Sequence, residues 1–266
     1  MSDERNFKQR VQDYVLTLSI GLLLWESTSK FIGVKYFPNS ITIIKDLPKL
    51  VFSLEFFKSY ASTLVILIAG VSFGIIISVV IGLLLTSNEF FRLSLIGTLD
   101  FLRFMPAVAL IPILIVVMGT GADMVVFLTT FVVASKLIVF VLRGFLELKL
   151  EYEDFSRVVS LGMWSKLRFI YLPCAISSIA LGLRITVVIA FGTVVASGVA
   201  AGTLGIGSSL LLAEISGDQV RLFSYVLVMG WTGIFLSSVV SRFEKFFALN
   251  MKTDFYRSQM RLSSNQ

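Results

Sequence analysis

One stretch decides the fold: Ser59-Tyr-Ala-Ser-Thr-Leu-Val-Ile-Leu-Ile-Ala-Gly70-Val-Ser-Phe-Gly74-Ile-Ile-Ile-Ser78-Val-Val-Ile-Gly82-Leu-Leu-Leu-Thr86. It contains no charge and no proline. A helix rises 1.5 Å per residue and the hydrocarbon core of a bilayer is about 30 Å thick, so about 20 such residues already cross it. Inside the run, Gly70, Gly74, Ser78 and Gly82 recur at every fourth position. That spacing is close to one helical turn, so the small residues line up as a groove that another helix backbone can enter. The pattern marks a helix–helix contact, within the chain or between chains.

Five further runs of this kind flank it: Tyr14 to Val34, Leu93 to Met118, Met124 to Leu142, Ala175 to Val199 and Leu222 to Val240. The first is the weakest, because Glu26 and Lys30 fall in its second half. The reading is an all-α membrane protein of about six transmembrane helices. Residues 1–13 form a polar N-terminal segment, residues 14–251 a single membrane domain with one long loop at 143–173, and residues 252–266 a polar tail expected to fray. Pro106 and Pro112 punctuate the third run. Each removes an amide donor, so that helix is expected to bend, either as a plain kink or as part of a pathway lined by the freed carbonyls. After Phe37-Pro38-Asn39-Ser40, residues Ile41 to Leu54 read as an amphipathic helix lying in the interface.

Composition agrees. Of 266 residues, 56% are hydrophobic and only 15% charged, with mean hydropathy +0.89. A soluble domain carries about 25% charged residues and could not bury this much apolar chain. There is no histidine and Cys174 is the only cysteine, which excludes the usual zinc, haem and disulfide frameworks and most histidine-based catalysis. No metal site is expected. The net charge of +6 reports topology rather than nucleic-acid binding. With the N-terminus in the cytoplasm, only Lys30, Lys35, Lys45, Lys49, Lys58 and Arg221 fall outside, against fourteen Lys and Arg inside. Both termini are therefore expected in the cytoplasm.

Arg103, Lys136 and Arg184 fall within the spans. A charge at membrane depth costs about 2.5–3.5 kcal/mol on insertion scales, so it should face the bundle interior or water. Asp100 and Asp123 are the available counter-charges. Cations without an equal acidic complement suit an anionic or carboxylate-bearing solute. In the bland alternative, Lys136 reaches to the surface and the arginines cap carbonyls at helix breaks. No phosphate-binding G-x-x-x-x-G-K-[ST] loop occurs, so any ATP-driven role needs a partner chain.

The loop at 143–173 is charged yet carries Phe155, Leu161, Met163, Trp164, Leu167 and Phe169, so it reads as a docking element or as a helix on the membrane surface. Here the sequence resembles the membrane subunits of type I ABC importers, in the nitrate/sulfonate/taurine/bicarbonate permease group. That family carries E-A-A-x-x-x-G, then L-P thirteen residues later, then G-L-R. Leu172-Pro173 and Gly182-Leu183-Arg184 fit this register; Asp154 takes the Glu place, Phe155 and Ser156 the Ala places, and Ser160 the Gly place. Arg157 falls at a commonly basic place and Trp164 at a frequent aromatic one. Gly162 stands two residues after Ser160, where a glycine can take over the turn. Arg103-Phe-Met-Pro106 with Ile111-Pro112, Phe37-Pro38-Asn39-Ser40 and Gly205-Ile206-Gly207 follow the family's order over residues 36 to 245.

The resemblance implies a permease subunit in a bacterial inner membrane, with no cofactor in this chain and ATP/Mg on partner subunits. Its partners would be two ATPase chains, a second permease copy (a homodimer preferred) and a solute-binding protein. It implies coupling through Asp154, Ser156, Arg157, Ser160, Leu161, Gly162, Met163 and Trp164. The residues read as the pathway are Arg103, Pro106, Lys136 and Arg184. The alternative is an ATP-independent channel or secondary carrier.

Overall fold

The computed structural model describes residues 2–158 and 172–263. Their regular structure is helical: α1 (Ser2–Ile32), α2 (Ser40–Val51), α3 (Leu54–Ser87), α4 (Glu89–Phe104), a 3-10 turn (Ala107–Leu110), α5 (Ile111–Met118), α6 (Ala122–Val158), α7 (Leu172–Ala201), α8 (Ile206–Ile215) and α9 (Gln219–Ser263).

Local chemistry sets the boundaries. The Ser53 hydroxyl accepts the Phe56 amide at 3.1 Å and starts α3, with Glu55 favouring the positive end of the helix dipole. Asn88 closes α3 and opens α4 at once, its Oδ1 accepting the amides of Phe90 and Phe91. Glu26, which made the first run look weak, has a structural use. Its carboxylate accepts the Ser40 amide at 2.9 Å and the Ser40 hydroxyl at 2.6 Å, so α1 caps the start of α2. Trp25 Nε1 and Ser29 Oγ donate to the carbonyls of Pro38 and Phe37 and fix the intervening turn. Helix α2 buries Ile43 and Leu50, and its Asp46 accepts the Ser224 hydroxyl of α9 at 3.0 Å.

The third run breaks more sharply than a kink. Helix α4 stops at Phe104 and Met105 turns extended, because Pro106 has no amide to donate and its ring clashes with the preceding turn. The 3-10 turn and α5 leave at 87° to α4. Pro112 bends nothing: it sits in the first turn of α5, where its amide would be unpaired in any case.

The stripe of small residues settles against α6 in the same chain. A Cβ added at Gly70 would fall 2.6 Å from Thr129 Cβ, and Cβ atoms at Gly74 and Gly82 would run into Val133 and Val141. Ser78, fully buried, donates to the carbonyls of Gly74 (2.7 Å) and Ala134 (3.3 Å). Numbers on both helices climb together, so α3 and α6 run in the same direction. Ser62 and Gly121, near the two starts, line one cleft. Between Ser87 and Gly121 the chain must therefore travel back the length of the bundle, and α4, the 3-10 turn and α5 together make one crossing.

The remaining contacts continue the alternation. Gly182 of α7 lies against Phe140, and Ala201 joins Gly121 in the cleft, so α7 is antiparallel to α6. Arg184 meets Ser237 and Val188 meets Gly233, so α9 is antiparallel to α7. With the apolar part of α1 at Val15–Ile32, six crossings result. Helices α2 and α8 gather at one end.

Helix α6 forms the axis. Val125, Leu128, Val133, Leu137 and Val141 have no exposed surface, and α3 and α7 pack on opposite registers of it around Ile66, Leu67, Ala190 and Phe191. Three features add to the sequence reading. Helix α6 continues to Val158, so the first half of the loop expected at 143–173 is helical. Helix α9 is 45 residues long and carries the expected tail on to Ser263. The short helix α8 lies where the sequence shows only a ten-residue apolar segment between glycines.

Candidate translocation pathway and coupling surface

The break after α4 leaves backbone polar groups at membrane depth. In an unbroken helix the Arg103 carbonyl would accept the amide of residue 107; here residue 107 begins the 3-10 turn. Lys136 of α6 takes that role, its Nζ donating to the Arg103 carbonyl at 3.0 Å. A carbonyl in an apolar span must find a partner inside the protein, and a lysine on the neighbouring helix supplies it. Lys136 therefore fastens the break to the axis of the bundle and does not extend to the surface.

The Arg103 side chain is occupied as well. Its Nη2 lies 3.0 Å from Asp100 Oδ1, one turn back on α4, and its guanidinium sits over the Phe104 ring at 4.7 Å. Nε is buried without a partner. The pair is only partly buried, at 32% and 47% exposure for the two side chains. Inside a membrane span, such exposure belongs to a water-filled passage or a protein interface, because lipid does not solvate an ion pair. Pro106 is exposed beside it.

Arg184 stands apart from this cluster. It projects from α7 with an exposed side chain, and its Nε donates to Ser237 Oγ of α9 at 3.2 Å. Helix α7 begins at Leu172, twelve residues earlier, so Arg184 lies about 18 Å along it. Among the described residues no carboxylate pairs with it. The structure thus joins Arg103, Pro106 and Lys136 at one helix break and holds Arg184 at another helix pair.

Asp154, Ser156 and Arg157 lie in the last turns of α6. The apolar part of α6 ends at Leu146, so Val158 lies about 18 Å further along the helix and well past the hydrocarbon zone. Ser160, Leu161, Gly162, Met163 and Trp164 lie outside the described residues.

At the opposite end the Gly205-Ile206-Gly207 motif shows why it needs its glycines. Gly205 adopts φ +151°, a conformation that L side chains rarely reach. Ile206, fully buried, donates its amide to Thr63 Oγ1 at 2.9 Å. Gly207 packs against the Val195 carbonyl and Gly198, so a Cβ at Gly198 would come within 2.9 Å of the Gly207 Cα. This backbone-to-backbone seam between α7 and α8 was hidden in the sequence, since Gly198 reads as one more small residue of an apolar run.

The family model for the binding-protein-dependent transport system inner membrane component matches residues 74–253, more than half of the chain. A glycine betaine/carnitine/choline transport system permease protein of Bacillus subtilis is 27% identical over 75% of this chain and 90% of its own length. A bicarbonate transport system permease protein of Synechococcus elongatus is 23% identical over 68% of this chain and 66% of its own. Among solved structures, the inward-facing MetNI methionine ABC transporter has a chain that superposes with a TM-score of 0.64 at 18% identity, covering 72% of this chain and 95% of that one. That likeness is one of fold. Six alternating crossings, a broken third span and the family match over residues 74–253 together place this chain among the type I ABC importer permeases.

Proposed function

We propose that this chain forms the membrane passage of an ATP-driven importer for a small solute bearing an anionic group, and that ATP and Mg are bound by separate ATPase subunits. The observation that carries the solute class is Arg184. Lys136 is engaged with a carbonyl and Arg103 with Asp100, whereas Arg184 keeps an exposed guanidinium whose described partner is a neutral hydroxyl. A cation in that position is stabilised by an oxyanion or carboxylate passing it. Nitrate, bicarbonate and sulfonates such as taurine satisfy this, as do the carboxylates glycine betaine and carnitine. Choline does not.

The end of the bundle at which α6 finishes and α7 starts is the cytoplasmic one, by the excess of Lys and Arg in the sequence segments assigned to that side. Two copies of the chain enclose the passage, a homodimer being the simpler assembly. Two ATPase subunits receive the segments that continue from α6, and a solute-binding protein docks at the α2 and α8 end. Closing of the ATPases on ATP then moves the six-helix bundles between inward- and outward-open states. A bacterial inner membrane is the setting.

Two experiments test this. In proteoliposomes holding the whole transporter and its binding protein, Arg184→Ala is expected to lower uptake at least about tenfold while the assembled complex elutes as wild type. Unchanged uptake, or uptake of choline in preference to every anion-bearing solute, overturns the solute class. Leu161→Asp and Trp164→Asp place a charge in the segment read as the ATPase contact. They are expected to abolish solute-stimulated ATP hydrolysis without loss of membrane insertion, and full stimulation in both variants contradicts the coupling assignment.

A further inference from the structure

At the α2 and α8 end a cleft of about 480 Å³ opens between the start of α3, the start of α6 and the turn after α7. Its size is in the range of small-molecule sites. Val65, Ile66 and Leu204 give it apolar walls, and Ser62, Thr120 and Thr203 give it hydroxyls. Ser62 is engaged, donating to the Leu204 carbonyl at 3.3 Å. Thr203 is not. It is only 8% exposed, its hydroxyl has no hydrogen-bond partner among the described residues, and that hydroxyl is not sealed off. Thr203 lines the cleft, so its hydroxyl, neither sealed nor engaged, is a donor available to a molecule there. Gly121 and Ala122 line the same wall. Ala122, just after Gly121, begins a helix of 37 residues, whose first amides have no partner within the helix and carry the positive end of its dipole.

We propose that this cleft is a subsite that receives a small zwitterion on its way into the passage. The carboxylate binds the Thr203 hydroxyl and the first amides of α6, and the apolar body lies on Val65, Ile66 and Leu204. The exposed Asp123 in the first turn of α6 opposes a bare anion there and is relieved by a positive group on the same solute. The proposal rests on the reading of the chain as a permease for solutes with an anionic group and adds a place and a charge pattern to it.

The test uses the whole transporter with Cys174→Ser, which removes the chain's only cysteine. Leu204→Cys then reports on the cleft and Ile215→Cys, exposed on α8, serves as the control. Modification by a membrane-impermeant methanethiosulfonate is timed with three probes of one shape: glycine betaine, 3,3-dimethylbutanoate and choline. Glycine betaine is expected to slow modification at position 204 at least threefold and at position 215 not at all. Thr203→Val is expected to remove that protection, and Asp123→Asn to raise protection by 3,3-dimethylbutanoate to the level of glycine betaine. No protection by glycine betaine at 204, equal protection by choline, or protection that survives Thr203→Val overturns the subsite. ATP-driven uptake is measured in parallel on the same preparation. Uptake without protection removes the subsite and keeps the importer, whereas loss of ATP dependence removes the importer reading itself.

Discussion

Gly207→Ala is expected to be among the most damaging single substitutions in this chain, although it adds only one methyl group. The added Cβ meets the Val195 carbonyl and the backbone of Gly198, and backbone inside two packed helices cannot swing aside as a side chain can. Overpacking of a filled core costs about 1–3 kcal/mol, and a clash against backbone belongs at the upper end of that range. The displaced helix α8 carries Ile206, Ser209 and Ala213, all buried, and the hydrogen bond from Ile206 to Thr63. Gly192→Ala on α7 makes the opposite test, since nothing lies within 4 Å of its added Cβ. There, replacing a mid-helix glycine is expected to stabilise by about 0.5–1 kcal/mol. Thermal unfolding of the detergent-solubilised complex should move down by several degrees for Gly207→Ala and stay level or rise for Gly192→Ala. Equal effects of the two would show that the α7–α8 seam is not the close contact described.

Lys136→Met is the second substitution with a large expected effect, and its cause separates it from Arg103→Ala. Methionine keeps much of the length and apolar stem of lysine but cannot donate to the Arg103 carbonyl. That carbonyl then stands unpaired next to a helix break, at a cost of about 1–3 kcal/mol, and the angle between α4 and α5 loses its fastening to α6. Arg103→Ala leaves the carbonyl and its lysine in place and removes the partly exposed Asp100 pair and the contact with the Phe104 ring, both of little weight for stability. The expected order is a lowered unfolding temperature together with at least tenfold lower uptake for Lys136→Met, partial recovery for Lys136→Arg, and near wild-type stability for Arg103→Ala. If Lys136→Met unfolds at the wild-type temperature while uptake collapses, Lys136 serves the solute and not the break.

Features carried by periodicity were legible in the sequence, and features carried by pairing were not. The stripe of Gly70, Gly74, Ser78 and Gly82 announces a close helix contact by its spacing alone, but its partner residues Thr129, Val133 and Val141 look like any apolar helix. Pro106 and Pro112 look alike in sequence. Their effects differ because one falls where a helix has already run four turns and the other falls in a first turn, where no amide is needed. Glu26 reads as a flaw in a membrane helix until its partner Ser40 is placed beside it. Arg103, Lys136 and Arg184 stand out together as cations within the spans, yet only the fold shows that the first two meet at a break while the third pairs with Ser237 on another helix. The cleft around Thr203 draws on three separate stretches of chain made mostly of small and apolar residues, and no local signal marks it.

Under the proposed function, this chain conducts solute only as the membrane part of an ATP-driven assembly. The most direct test of this is gentle extraction of the tagged chain from its native host, identification of what remains bound, and reconstitution of that material in liposomes. The expected result is recovery of an ATPase chain carrying a phosphate-binding loop, two permease chains per assembly, and solute uptake that stops when ATP is withheld. Recovery of the chain alone, with flux that proceeds equally with and without ATP, would contradict it and identify a channel or secondary carrier.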